Sequence, residues 1–281
     1  MALITNRMIV KNEMKKNILL LGDSFTYGHG CSDRVYYWDP KTQKHIGNDK
    51  DLAIGPSEFC WGRLIDKNFP GLKSINLSAP GKDNISCMVD TLVAYNDHYK
   101  DEKIDAVIFS MTFDDRQQIA GMHGFLKPTH DSETQGRPID YFKDYYSMSS
   151  WSPLWDLKTW SNARDLPKGY TQALELYTNY LYSPEWGAKL CHASLYGVYG
   201  WAQNVGAKFY WSAPWASFAH ASPYIDPTMK SLQLSHITDH LGIYDQTNQA
   251  GAIYRCPDGH ANNLGHSVYF EQVIKPVMEN L

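Results

Sequence analysis

Lys16-Asn17-Ile18-Leu19-Leu20-Leu21-Gly22 runs straight into Asp23-Ser24-Phe25-Thr26-Tyr27-Gly28. The first part reads as a short strand, apolar on both faces and ending at Gly22. Three further stretches share that character: Lys73 to Leu77, Ile104 to Ser110 and Ala207 to Ser212. Short apolar runs of this kind suit a parallel sheet covered on both sides.

Between the strands the apolar spacing becomes helical. Ser57 is placed to cap a helix carrying Phe59, Leu64 and Ile65 that stops before Pro70-Gly71. Asn84 is placed to open a second, with Met88, Val89, Leu92 and Tyr95 along one stripe. Tyr170, Leu174, Tyr177 and Leu181 predict a third, continued after Pro184 by Leu195 to Trp201. Leu264, Val268, Val273 and Val277 place a last helix over 264–278. Strands alternating with helices predict an α/β sheet layered by helices. No repeat of 20 to 50 residues is present, which excludes solenoids and propellers.

Two stretches, 29–56 and 111–170, break the alternation and read as irregular insertions in one domain spanning 1–281. The second is rich in Gly, Pro and aromatic residues, including Trp151, Trp155 and Trp160. Flat rings there would suit a sugar-binding groove, although aromatic residues mostly fill cores and interfaces.

Composition narrows the field of partners. Of 281 residues, 43% are hydrophobic and 20% charged, a globular balance with enough apolar material for a sizeable core. Twenty-six Lys+Arg against 30 Asp+Glu give a net charge of -4, which argues against a general grip on nucleic acid or anionic lipid. Ile18 to Leu21 is far too short to span a membrane, and Arg7, Lys11, Glu13, Lys15 and Lys16 interrupt any signal-peptide core. A cytoplasmic protein is the expectation. Cys31, Cys60, Cys87, Cys191 and Cys256 form no CxxC pair and read as reduced thiols.

Two segments can carry chemistry. Gly22-Asp23-Ser24 places a serine at a strand end, where its oxygen is exposed and backbone N–H groups can face developing negative charge. A serine attacks only if a base takes its proton. Cys256-Pro257-Asp258-Gly259-His260 supplies an imidazole ahead of the last helix, with a carboxylate two residues before it to orient the ring. Each segment alone could be an ordinary polar turn. A metal set of Asp258, His260 and His266 ranks lower, since no His pair here has i, i+4 ligand spacing.

Together the two ends resemble the SGNH hydrolases, also called the GDSL esterase family. Asn76-Leu77-Ser78-Ala79-Pro80-Gly81-Lys82-Asp83-Asn84 resembles that family's second block, and the order and spacing agree over nearly the whole chain. The resemblance implies a flavodoxin-like three-layer α/β/α sandwich, with Ser24 as nucleophile, His260 as base and Asp258 as its partner. It implies no metal or other cofactor, and an oxyanion hole of the Ser24 and Gly81 amides. The third block departs from the family: Ser110-Met111-Thr112-Phe113-Asp114-Asp115-Arg116 has no Asn after the strand. It looks like a variant found in phage and marine bacterial members, with a threonine and a downstream arginine. Asn84, Thr112 or Arg116 is then expected to take over the oxyanion contact, and Arg116 to meet substrate.

The expected activity is hydrolysis of small acyl esters, acetyl groups on a polysaccharide being typical of the family. The substrate is a small molecule or glycan ester; nucleic acid and membrane are not expected partners. Other readings are a glycan-binding or virion structural protein with weakened chemistry, or a lipase or thioesterase. A homo-oligomer or a virion-associated assembly stays open.

Overall fold

The computed structural model describes residues 15–34, 36–39, 44–47, 55–114, 116–120, 145–148, 176–181, 183–214, 222–243, 249–256 and 259–281. The quoted opening stretch is strand β1 (Lys16–Gly22). A two-stranded antiparallel ribbon follows, β2 (Tyr36–Asp39) against β3 (Lys44–Gly47). Then come β4 (Leu72–Asn76), β5 (Ile104–Ser110), a second ribbon of β6 (Gln117–Ala120) and β7 (Tyr145–Met148), and β8 (Lys208–Ser212). Both ribbons lie in the stretches expected to be irregular.

Strands β4-β1-β5-β8 form a parallel sheet in that order. This is the flavodoxin-like arrangement, in which the chain winds outward from β1 in both directions. Successive β1 side chains alternate between two cores, as strand geometry requires. Leu19 and Leu21 join Val107 and Phe109 of β5 on one face, while Ile18 and Leu20 join Ala106 and Ile108 on the other.

Helices cover both faces. Helix α1 is the single turn Ser24–Tyr27, and α2 is Trp61–Asn68. The longer helices are α3 (Asn84–His98) and α4 (Pro184–Asn204). They are followed by α5 (Pro227–Ser231), α6 (Ile237–His240), α7 (Asn263–Tyr269) and α8 (Lys275–Glu279). Cys87 and Tyr95 of α3 and Cys191, Leu195 and Val198 of α4 close the first core. Trp61 and Ile65 of α2, with Tyr269, Phe270, Ile274 and Met278 near the C-terminus, close the second. The three expected layers are present.

Several expected details are corrected. Ser57 does not cap α2, whose cap position is Cys60; its hydroxyl accepts from Phe59 N at 2.9 Å and donates to Asp33 Oδ1 at 2.6 Å. Val89 belongs to the exposed side of α3, not the buried stripe. Leu181 is exposed in a π-helical turn, Tyr177–Leu181, and Tyr170 and Leu174 lie outside the described residues. The last helix is interrupted by another π-helical turn, Phe270–Ile274. It sits directly before Lys275 and Pro276, and proline cannot donate to a carbonyl one turn back. Of the expected stripe, Leu264 is exposed while Val268, Val273 and Val277 pack half-buried against the second core, and Tyr269, Ile274 and Met278 are the buried residues. The tryptophans at 151, 155 and 160, and with them the expected aromatic groove, lie outside the described residues.

Candidate active site

Ligand sites in open α/β sheets form at the C-terminal strand ends, where neighbouring connections leave in opposite directions. Here that place lies between β1 and β5, whose ends pair Gly22 with Ser110. Gly22 has to be small: a Cβ there would meet Thr26 Cβ at 2.8 Å and Ser110 O at 2.9 Å. Asp23 then caps α1, its Oδ1 accepting from Phe25 N at 3.0 Å. Gly28 ends the turn at φ 84, a left-handed conformation that suits glycine, with its N–H on Ser24 O. Ser24 is thereby fixed as the first residue of α1, at the edge of the sheet.

His260 arrives from the other end of the chain. Arg255 and Ala261 pair as an isolated antiparallel bridge, and Cys256 N donates to His260 O at 2.9 Å, which ties His260 back to the segment before it. The imidazole packs against Phe25 at 5.0 Å and meets His29 at 4.4 Å between ring centroids. Its Nε2 is 2.9 Å from Ser24 Oγ. With the hydroxyl donating, Nε2 is the basic nitrogen facing the nucleophile. Two residues 236 positions apart are thus in hydrogen-bond contact. Asp258, the expected partner of the ring, lies outside the described residues.

The contact depends on a glycine no motif singled out. Gly30 has φ +102, and a Cβ on it would lie 2.8 Å from both His260 Cβ and Ala261 O. Gly30→Ala is expected to displace the imidazole and lower kcat on an activated ester by roughly tenfold to a hundredfold. Steady-state rates, normalised to correctly folded protein by circular dichroism, check this; an unchanged kcat contradicts it.

The second block follows β4 and lies beside the nucleophile turn. Ala79 N donates to Gly22 O at 3.2 Å, and Asn76 Nδ2 donates to Thr26 O at 3.1 Å. Gly81 has φ 77 in this loop, and Asp83 caps α3 by accepting from Ser86 N at 2.6 Å. The loop carrying the Gly81 amide is therefore tied to the β1 end.

Asn84 and Thr112 have a different task from the one expected. Asn84 Oδ1 accepts from Thr112 N at 2.8 Å, and Nδ2 donates to Thr112 O at 3.1 Å and lies 3.2 Å from Cys191 Sγ. Thr112 Oγ1 donates to Asp23 Oδ2 at 2.6 Å. Both side chains are buried and their donors are engaged within the protein. They join α3 to the segment after β5 and do not present a donor to an oxyanion. Arg116 is also drawn inward: its Nη1 donates to Asp23 Oδ2 at 2.9 Å, and its guanidinium lies 5.9 Å from the Phe113 ring centre.

Asp23 is a neighbour of the site that the sequence did not single out. Its place in Gly-Asp-Ser signalled a turn, but its bonds to Thr112 and Arg116 span most of the first half of the chain. His236 was also missed. It is buried near Phe25, at 6.0 Å between ring centroids, with Nδ1 2.7 Å from Thr238 Oγ1. Burial pushes its pKa down to about 4, with the Asp23 charge and the Met111 backbone only partly offsetting. His266, a member of the alternative metal set, is fully buried and its Nδ1 accepts from Trp61 N at 3.3 Å. Burial and the neighbouring His260 push His266 down to about 3. Among the described residues no three His, Cys, Asp or Glu side chains are grouped to hold a metal ion. Nor is any described helix long and apolar enough to cross a membrane. The cysteines are thiols, four of them buried and Cys256 half-buried; burial raises Cys31 to about 12 and Cys60 to about 11, so neither is a ready thiolate.

No protein-family model and no curated protein matches the chain. Among solved structures it is similar to a carbohydrate esterase described as having divergent catalytic and non-catalytic binding functions. Identity there is 13%, over 95% of this chain and 66% of that one, with a TM-score of 0.48. This chain thus spans just under two thirds of that protein's length. It is also similar to the psychrotrophic esterase EstA from Pseudoalteromonas sp. (12% identity, 94% and 100% covered, TM-score 0.44). A third is TesA (11% identity, 94% and 99% covered, TM-score 0.45). Likeness at this level carries no argument about chemistry, which rests on this chain's own side chains.

Proposed function

We propose that the protein is a serine ester hydrolase that works through an acyl-enzyme. The observation that carries this reading is the 2.9 Å contact between Ser24 Oγ and His260 Nε2 at the sheet's C-terminal edge. Nucleophile and base at that separation form the unit that activates a hydroxyl. Ser24 Oγ attacks the ester carbonyl carbon as its proton passes to His260 Nε2. The amides of Ser24 and Gly81 face the developing oxyanion. The tetrahedral intermediate collapses, His260 returns the proton to the departing alcohol, and the acyl group stays on Ser24. Water, deprotonated by the same nitrogen, then releases the acid. Asp258 is assigned to hold the imidazole tautomer throughout.

A small acyl group, acetyl on a glycan above all, is the substrate we favour. The engaged donors of Asn84 and Thr112 favour one other reading, a glycan binder with weakened chemistry. Two measurements decide between them. A fluorophosphonate probe is expected to label Ser24, with labelling lost in Ser24→Ala. Short p-nitrophenyl esters are expected to turn over faster than long ones; the reverse order indicates a lipase or thioesterase. Wild type that is neither labelled nor active, yet binds an acetylated glycan, makes the protein a binder.

A further inference from the structure

The carboxylate of Asp23 sits one residue before the nucleophile and is 1% exposed, and among the described residues its ion-pair partner is Arg116. Three contacts fix that carboxylate. Oδ1 accepts from Phe25 N at 3.0 Å, and Oδ2 accepts from Thr112 Oγ1 at 2.6 Å and from Arg116 Nη1 at 2.9 Å. Arg116 is held in turn, its N–H donating to Phe113 O at 3.3 Å and its guanidinium against the Phe113 ring. Its side chain is 18% exposed.

A buried negative charge beside a reacting serine opposes the oxyanion that forms on attack. Thr112 and the Phe25 amide are neutral donors and leave that charge in place; Arg116 cancels it. We propose that Arg116 is a positioning residue that acts through Asp23, compensating its charge so that the carboxylate can cap the nucleophile turn without disfavouring the oxyanion. This role rests on the ester-hydrolase reading and extends it. It also explains how the site dispenses with a side-chain amide after β5: Phe113 stands there as a platform for the guanidinium. An arginine at a site that works by charge and planar geometry is not interchangeable with a neutral donor.

The test isolates the charge of Arg116. Arg116→Gln is neutral and its amide reaches only as far as the arginine Nε, so it removes both the charge and the Nη1 contact to Asp23, whereas Arg116→Lys keeps the charge. With an effective interior permittivity of about 20, one uncompensated charge near the reacting atoms is expected to lower kcat by on the order of tens-fold, with KM little changed. Arg116→Lys is expected to recover most of that rate. Asp23→Asn/Arg116→Gln is expected to be faster than Arg116→Gln alone, because the opposing charge is gone; a double-mutant cycle on kcat measures the coupling. A merely structural ion pair predicts lower thermal stability in Arg116→Gln with an unchanged kcat per labelled active site. That result, or a double variant no faster than the single, overturns the proposal. Wild type that a fluorophosphonate does not label fails the hydrolase reading itself, whereas equal labelling rates in wild type and Arg116→Gln fail only this inference. Should Arg116→Gln not fold, the comparison of Arg116→Lys with the double variant stands in its place, and a double variant at wild-type rate supports the charge argument.

Discussion

Alanine at His260 is expected to lower kcat on a short activated ester by on the order of a thousandfold or more, with much less change in KM. The loss follows from one atom pair. Ser24 Oγ has its base at 2.9 Å, and without His260 Nε2 the hydroxyl must surrender its proton to water during attack. The imidazole packs against Phe25 and His29, which hold the ring beside the hydroxyl. Ser24→Ala is expected to give a similar loss, and Ser24→Ala/His260→Ala no more than either single change, since nucleophile and base act as one unit. Steady-state kinetics on the three variants check this. Multiplying losses in the double variant would show that the two side chains act independently, and the acyl-enzyme scheme would fall.

The second large effect is on stability in acid. His236 and His266 are neutral in the fold, pushed from 6.5 to about 4 and about 3, chiefly by burial. Above pH 6.5 both rings are neutral in folded and unfolded chains, and neither gives a pH dependence. As pH falls below 6.5 the unfolded chain binds protons that the folded chain refuses, so stability drops until the folded values are reached. Each histidine is expected to remove about 3 kcal/mol between pH 6.5 and 4, a large share of the stability of an ordinary domain. Urea midpoints from pH 7.5 to 4.5 measure it. His266→Asn keeps an acceptor for Trp61 N–H and removes the titration, so its midpoint is expected to fall less steeply than that of wild type. Equal slopes would mean that His266 does not stay neutral in the fold.

Much of the architecture was written locally. Ile18 to Leu21 reads as a buried strand, although a buried helix segment can carry the same run, and in the sheet its alternation assigns Leu19 and Leu21 to one core and Ile18 and Leu20 to the other. All four strands of the main sheet fall within a residue of where the apolar runs place them. Helix details were less legible where the phase changes. The spacing of Leu264, Val268, Val273 and Val277 assumes one regular helix; the three valines do face the second core, but a π-helical turn at Phe270–Ile274 interrupts the helix, and Tyr269, Ile274 and Met278 take the most buried places. A period count cannot register one widened turn.

The sequence by itself determined the alternating strands and helices, the serine turn after β1 and the histidine loop before α7. These are short-range properties, set by residues within a few positions of one another. Only the tertiary structure decided what those segments touch. It brought His260 onto Ser24 across 236 positions, and Arg116 and Thr112 onto Asp23 across 93 and 89. It also turned Asn84 from an oxyanion donor into a clamp on Thr112. The physical reason is that a hydrogen-bonding side chain of given type has many partners open to it along the chain. Which one it meets is settled by how the sheet edge and its two helical layers pack, because a buried donor or acceptor must be satisfied by whatever the fold places within about 3 Å.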